Sequence, residues 1–377
     1  MKVLIVSGIW PPDVGGPASH APELADFLGS RGHRVEVVVT ASTPPAPREY
    51  PVAWVDRATP RGLRHARCVS VIRRCAARAD VVYATSMLGR ASLGSALARR
   101  PLVVKLVADE AYERARRFGL FAGDLDAFQR FRGGVRVRAL RRTRNLALRR
   151  VDRLVCPSEY LASLALTWGV PNERVSVLPN PAPAVADVPT RDDARARFEI
   201  VGPTLAFAGR VTRQKSLEVA LSALAQVEGV TLLVAGDGPG LESVRACASD
   251  LDLGERVRFL GALDRREVLT LFRAADASLL SSSWENFPHT VVESLAVGTP
   301  VVATRVGGVA EIVHDGENGL LVAPGDAAGL AEGIHRLVHE AGLRDRLAAR
   351  TAASVEQLAA ERVYARLEEI LRRAAGR

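Results

Sequence analysis

The feature that most constrains this 377-residue chain is an alternation of apolar runs with helical stretches that occurs twice. In the first half KVLIVSG, VEVVVT, VVYAT and PLVVKLVA are rich in valine, lack polar alternation and are separated by helical stretches. Strands of that kind are buried on both faces, which places them in a parallel sheet whose members are joined by crossover helices. TLAFAG, TLLVAG, VRFLG, ASLLSS and VVAT repeat the pattern in the second half. Between the halves Pro179, Pro181, Pro183 and Pro189 mark a linker. The reading is an α/β chain of two doubly wound, Rossmann-like domains, residues 1–183 and 184–354, facing a central cleft between strand carboxyl ends.

In the second half, SSSWENFPHTVVESLAVGTPVVATRVGG carries Glu285 and Glu293 around a helix start. Residues 290–297 read as a helix with Val291, Leu295 and Ala296 facing a core, and Pro288 sits where a missing N–H is tolerated. Glu285 then precedes the helix and Glu293 lies about one turn inside it. A diphosphate here would meet backbone N–H groups and the positive end of the helix dipole, while the carboxylates accept from hydroxyls on either side. A nucleotide sugar has that layout. An ordinary helix start with acidic residues has it too, so the pair alone leaves both readings open.

Three further loops bear on ligand binding. PPDVGGPASH places Gly15 and Gly16 beside a helix start, either as a plain tight turn or as a close approach to a negative ligand. His20, one turn on, reads as a packing residue. FAGRVTRQKSLE places Arg210 and Lys215 between strand and helix, one a bidentate clamp and the other a mobile point charge. AGDGPG, with Gly236 and Gly238, lacks the third glycine spacing of a dinucleotide fingerprint, which weakens a dehydrogenase reading. Only Lys2, Lys105 and Lys215 are lysines among 51 basic residues, so a surviving lysine marks a place where a guanidinium does not serve.

Over nearly its whole length the chain resembles the GT-B, family 4 retaining glycosyltransferases. The resemblance implies that Glu285 contacts the donor sugar and Glu293 the ribose hydroxyls. Backbone around Asn286, Phe287, Pro288 and His289 would line the sugar pocket, with Thr290 and Val291 near the phosphates. Gly15 and Gly16 would face the donor diphosphate, Arg210 and Lys215 would neutralise it as it leaves, Gly236 and Gly238 would close near the nucleotide, and the backbone of Ala262 and Leu263 would meet the base. Family members often carry a histidine at one cleft edge; this chain has Asp109 about there, expected as a cleft residue, with a helix N-cap as the other reading. A last helix, residues 355–377, would cross back onto the first domain. The implied chemistry is metal-independent, needs no cofactor and proceeds by front-face substitution.

Composition narrows the alternatives. No uninterrupted apolar run reaches the roughly 18 residues of a membrane span, and Cys68, Cys75, Cys156 and Cys247 lack metal or disulfide spacing, so a reducing cytoplasm is expected. Ten arginines fall between Arg130 and Arg153 against the single acid Asp152, a local +9 that equals the net charge of the whole chain. With Phe131 the lone aromatic there, nucleic acid is not the expected partner. An anionic inner membrane face, touched peripherally, or a lipid-linked acceptor hydroxyl suits that stretch better, and a plain solvated helix stays open. The two DLD sequences sit at helix edges, which makes a metal site there an accidental match. The donor is expected to be a UDP- or GDP-sugar. A phosphorylase or nucleotide-sugar epimerase would keep the same fold, and a non-enzymatic membrane or nucleic-acid binder would leave the glutamate pair without a use.

Overall fold

The computed structural model describes residues 1–13, 16–340 and 342–376, with backbone only for 16–18; the expected ligand contact at Gly15 lies outside the described residues. The chain divides into two units. Unit 1 takes Met1–Pro179 with Glu361–Arg377, and unit 2 takes Asn180–Ala360.

Unit 1 runs β1 (Lys2–Ser7), α1 (Gly16–Ser30), β2 (Arg34–Ala41), β3 (Val52–Asp56), α2 (Arg61–Ala76), β4 (Val81–Ala84), α3 (Leu88–Ala98), β5 (Leu102–Lys105), α4 (Glu110–Arg117), α5 (Leu125–Arg130), α6 (Val135–Leu148), β6 (Arg153–Cys156), α7 (Glu159–Thr167) and β7 (Val175–Val177). Its strands form one sheet in the order β3-β2-β1-β4-β5-β6-β7, every pair parallel. The chain moves outward from β1 one way and from β4 the other, so the sheet's switch point lies between β1 and β4. Strand alternation divides the core. Leu4, Val6, Val82, Ala84, Leu102, Val104 and Leu154 pack on one face with side chains of α2, α3, α6 and α7.

Unit 2 runs α8 (Arg191–Arg197), β8 (Thr204–Ala208), α9 (Leu217–Leu224), β9 (Thr231–Ala235), α10 (Leu241–Asp250), β10 (Val257–Gly261), α11 (Arg265–Ala274), β11 (Ala277–Leu280), α12 (His289–Ala296), β12 (Val301–Thr304), β13 (Gly319–Val322), α13 (Ala327–His339) and α14 (Leu343–Ser354). Its parallel sheet has the order β10-β9-β8-β11-β12-β13, with the switch point between β8 and β11. Leu205, Phe207, Leu232 and Val234 pack on one face, and Ala206, Ala208, Leu233 and Ala235 pack on the other with α11. Both sheets therefore carry the double burial implied by their unbroken apolar runs.

Two boundaries differ from the sequence reading. Unit 2 begins at Asn180 rather than 184, because Ala182 bridges Ala359 and its N–H donates to Leu358 O at 2.7 Å. For the same reason no helix starts at 355. Val355 and Leu358 are buried in the core of unit 2, and the last helix, α15 (Ala360–Ala374), begins only after that anchor.

In unit 1, α15 is held by Glu368, which accepts from His33 Nε2 at 2.8 Å and from Arg372 at 2.6 Å. Burial disfavours the Glu368 carboxylate, but the hydrogen bonds from His33 and Arg372 outweigh it and hold its titration below the ordinary 4.5. A carboxylate depressed in the folded state contributes stability above its unfolded value and loses it as pH falls through the folded one. The expected result is that α15 amides lose hydrogen-exchange protection before the sheet does as pH drops below 4.5, and that Glu368→Gln produces the same loosening at neutral pH. Unchanged α15 protection in Glu368→Gln would show that apolar packing of Val363, Leu367 and Leu371 alone holds the helix.

Candidate functional site

The switch point of unit 2 gathers most of the residues singled out by sequence. Past the ends of β8, β9 and β10 the backbones remain laced together. Gly209 N–H donates to Ala235 O at 3.0 Å, Val211 N–H to Asp237 O at 2.9 Å, and Gly236 N–H to Gly261 O at 2.7 Å. Gly236 and Gly238 have φ of +142° and +155°, and a Cβ there would lie 1.9 Å from Gly209 O and 2.3 Å from Val211 O. These glycines are required by loop-on-loop contact, whatever ligand the loops meet.

The loops flanking the switch point are tied to each other. Ser281 Oγ donates to Lys215 O at 2.8 Å, Ser283 N–H to Gln214 O at 2.8 Å, and Gln214 Nε2 to Trp284 O at 2.7 Å. A turn over Arg213–Lys215, with Ser216 in the left-handed region at φ +47°, then aims the lysine across the gap. Lys215 Nζ meets Glu285 Oε1 at 2.6 Å, with the two side chains 16% and 8% exposed. Ser282 Oγ donates to the same oxygen at 2.7 Å, so Oε2 keeps its acceptor capacity among the described residues. Arg210 lies on the same loop, exposed and without an ion pair among the described residues. The loop thus carries one neutralised ion pair and two exposed cations, Arg210 and Arg213, without an ion pair among the described residues.

Glu293 sits in the second turn of α12, 12% exposed, with Arg265 Nε 3.5 Å from its Oε1. Arg265 opens α11 just after Ala262, which is exposed, and Leu263, which packs into the core beside α11. α12 begins at His289 with Pro288 at its N-cap, one residue earlier than the expected 290. The side chains of Phe287 and Val291 are buried at 6% and 1% in the core under α12, so only their backbone can face a ligand. Asn286, His289 and Thr290 are half-buried. Asn180 Nδ2, which the sequence reading did not single out, donates to Phe287 O at 3.4 Å and steadies this turn; its place 107 residues away gave no local signal.

In unit 1, Asp109 is not a cleft residue. Its side chain is fully buried and caps α4, Oδ1 accepting from Ala111 N at 2.9 Å and Tyr112 N at 3.3 Å. Oδ2 accepts from Arg144 Nη1 at 2.6 Å and Gln129 Nε2 at 3.2 Å. The Arg144 guanidinium stacks 3.8 Å over the Trp168 ring, whose Nε1 donates to Gln129 at 2.9 Å, closing a ring of contacts. Every strong acceptor position of Asp109 is spent on structure, which removes it from the candidate catalytic set. Burial lowers the Arg144 titration, and Asp109 offsets part of that effect.

Gly16 opens α1, and His20 is buried with Nε2 2.9 Å from Tyr83 OH. Of the DLD sequences, Asp124 caps α5 and Asp126 accepts from Tyr160 OH at 2.7 Å. A cavity of about 1200 Å³ in unit 1, lined by Lys2, His33, Arg34 and Tyr50, lies at the amino edge of the sheet, opposite the strand ends where doubly wound folds bind ligands.

The arginine-rich stretch divides into two roles. Arg144 is buried as described, and Arg141 donates to Phe128 O with its guanidinium 4.6 Å over the Phe128 ring. Arg136, Arg138 and Arg142 on α6 and Arg149 and Arg150 after it are exposed, and so are Val135 at 72% and Leu146 at 49%. No helix among the described residues is long and apolar enough to cross a membrane.

Comparison with known proteins places this geometry. The family described as Glycosyl transferases group 1 matches residues 191–353, and that described as Glycosyltransferase Family 4 matches residues 14–184. The lipopolysaccharide core biosynthesis glycosyltransferase LpsE of Rhizobium meliloti is 35% identical over 55% of this chain, which spans 60% of LpsE. A glycogen synthase of Mycobacterium tuberculosis is 28% identical over 92% of this chain and 88% of its own length. Among solved structures, Anabaena HepE in complex with UDP-glucose superposes with a TM-score of 0.81 at 22% identity, covering 98% of this chain and 99% of its own. With both halves matched in order, the chain belongs to the group 1, family 4 glycosyltransferases of GT-B fold.

Proposed function

We propose that this chain transfers a sugar from a UDP- or GDP-sugar to an acceptor hydroxyl with retention of the anomeric configuration. The observation that carries the reading is the pairing of Lys215 with Glu285 at the unit 2 switch point, with Arg210 on the loop of Lys215 and Glu293 on the helix that follows Glu285. A diphosphate bound there would draw Lys215 and Arg210 onto its oxygens. Glu285 would be released to accept from a sugar hydroxyl and offset positive charge developing at the anomeric carbon. Glu293 would accept from the ribose hydroxyls. HepE, solved with UDP-glucose, supports a nucleotide-sugar donor. Incubation with a panel of UDP-, GDP- and dTDP-sugars tests the reading by release of free nucleoside diphosphate, and the anomeric configuration of the product tests retention. Release from none of them would overturn it; sugar phosphate formed from inorganic phosphate would make the chain a phosphorylase, and a rearranged donor without release an epimerase.

The cationic pair leaves the diphosphate with fixed counter-charge, so turnover is expected to survive chelation. Loss of activity in EDTA, restored by Mn²⁺ or Mg²⁺, would contradict this. Val135 and Leu146 among the exposed arginines of α6 fit an anionic leaflet, with apolar side chains entering the headgroup boundary and guanidiniums on phosphates. Sedimentation with phosphatidylglycerol vesicles is expected to pull the protein down and to fail with phosphatidylcholine or in high salt. Equal recovery from both vesicle types would remove the electrostatic part of this reading.

A further inference from the structure

The carboxyl edge of the unit 1 sheet holds an amine that the donor chemistry does not use. Lys105 ends β5 and is only 5% exposed. Its neighbours Val104 and Leu106 belong to the core packed by α2, α3, α6 and α7, so Lys105 projects to the opposite face. The register pairs Ile5 with Tyr83 and Tyr83 with Val103. Two residues further along, Ser7, Thr85 and Lys105 fall in one row across β1, β4 and β5, next to the switch point. Thr85 Oγ1 donates to Ser7 Oγ at 3.1 Å, which places both hydroxyls on that face. Their exposures are 0% and 1%, so an otherwise apolar face ends in a buried row of two hydroxyls and an amine.

The Lys105 side chain has no hydrogen bond or ion pair among the described residues. Burial lowers its titration from 10.5 to about 7, and no ionised neighbour contributes. Titratable groups on the neighbouring elements have partners of their own. Tyr83 on β4 meets His20 of α1, Tyr364 of α15 donates to Glu23 of α1, Asp13 in the loop after β1 holds Arg57, and Asp109 beyond β5 holds Arg144. An arginine at 105 would stay charged in this site, whereas a lysine can be neutral when the site is empty and charged when it is filled. In a chain with three lysines among 51 basic residues, that difference gives a chemical reason for this one.

We propose that Lys105 is the counter-ion for an anionic group, a phosphate or a carboxylate, on a ligand bound at the carboxyl edge of unit 1, next to the Ser7 and Thr85 hydroxyls, whose own protons go to Ile9 O and Ser7 Oγ. Calling that ligand the sugar acceptor rests on the function proposed above; the anion site itself does not. Anion and proton bind together, so affinity is greatest below the free titration midpoint and falls about tenfold per pH unit above it.

The test uses the full chain with isotopically labelled lysine side chains, whose three signals come from Lys2, Lys105 and Lys215, with Lys105→Met identifying the one of interest. Sulfate is the first probe because its charge is fixed in this range. At matched ionic strength it is expected to shift the Lys105 signal saturably and to raise its midpoint by about one unit or more. An alkyl phosphate and a sugar carboxylate then distinguish the source, the tighter one naming the group. A Lys105 signal and midpoint unmoved by sulfate, alkyl phosphate and carboxylate would overturn the proposal, even if Lys215 responds. Because this reads one amine without turnover, its failure and a failed donor screen are separate results.

Discussion

Replacing Lys215 by alanine is expected to lower turnover on the order of a hundredfold, the scale of one preorganised transition-state contact. The ion pair with Glu285 adds a second consequence. Among the described residues Glu285, with a side chain 8% exposed, would keep only Ser282 as a donor once Lys215 is gone. Lys215→Ala should therefore also cost about 1.5–3 kcal/mol of stability, the range for a lost hydrogen bond to a charged group. Lys215→Arg keeps the charge but brings a planar fork to a 2.6 Å contact shaped for a compact ammonium, so its turnover should lie between the two. Steady-state kinetics checks this. If the ammonium acts in the transition state, kcat and kcat/KM fall together; a rise in KM alone would make it a uniform binding contact. Full activity of Lys215→Arg would end the argument from lysine rarity.

The largest effect on stability is expected at Asp109. Asp109→Ala removes the cap of α4 and leaves the Arg144 guanidinium, 5% exposed, without its carboxylate. Breaking one side of a buried pair costs about 3–5 kcal/mol, and loss of a cap about 1 kcal/mol more. Asp109→Asn retains an acceptor for Ala111 and Tyr112 and should lose less. The double variant Asp109→Asn with Arg144→Met should recover part of the loss, because no charge is then left buried. Urea unfolding followed by circular dichroism measures these differences. A change under about 1 kcal/mol in Asp109→Ala would show that Asn145, which accepts from Arg144 Nε at 3.0 Å, and the Trp168 ring suffice to hold Arg144.

What could be read from the sequence depended on whether the controlling contact was local. Unbroken valine runs specify double burial within a few residues, and the parallel sheets follow. The spacing of Glu285, Pro288 and Glu293 is set by one turn and one helix start, so the cassette was legible too. The pairing of Lys215 with Glu285 spans 70 residues and depends on β8 and β11 being neighbours across the switch point, which no local pattern encodes. Asp109 was ambiguous because an N-cap and a cleft carboxylate share the same local chemistry; the deciding partner, Arg144, lies 35 residues on among arginines that look alike in a charge count. Val355 and Leu358 misled in the opposite direction. They lie within the span read as the last helix, yet they fill the core of unit 2.

The return of residues 361–377 to unit 1 also orders events during synthesis. His33 leaves the ribosome 335 residues ahead of its partner Glu368, which follows after the whole of unit 2 has been made. Unit 2 is contiguous and can complete its sheet as it emerges, while unit 1 must wait with the face that takes α15 uncovered. During that interval the apolar seat of Val363, Leu367 and Leu371 is open to chaperones or to the same seat on another nascent chain. Slow codons within unit 2 would lengthen the exposure, and a chain stalled before 361 would present it permanently to the proteolytic machinery.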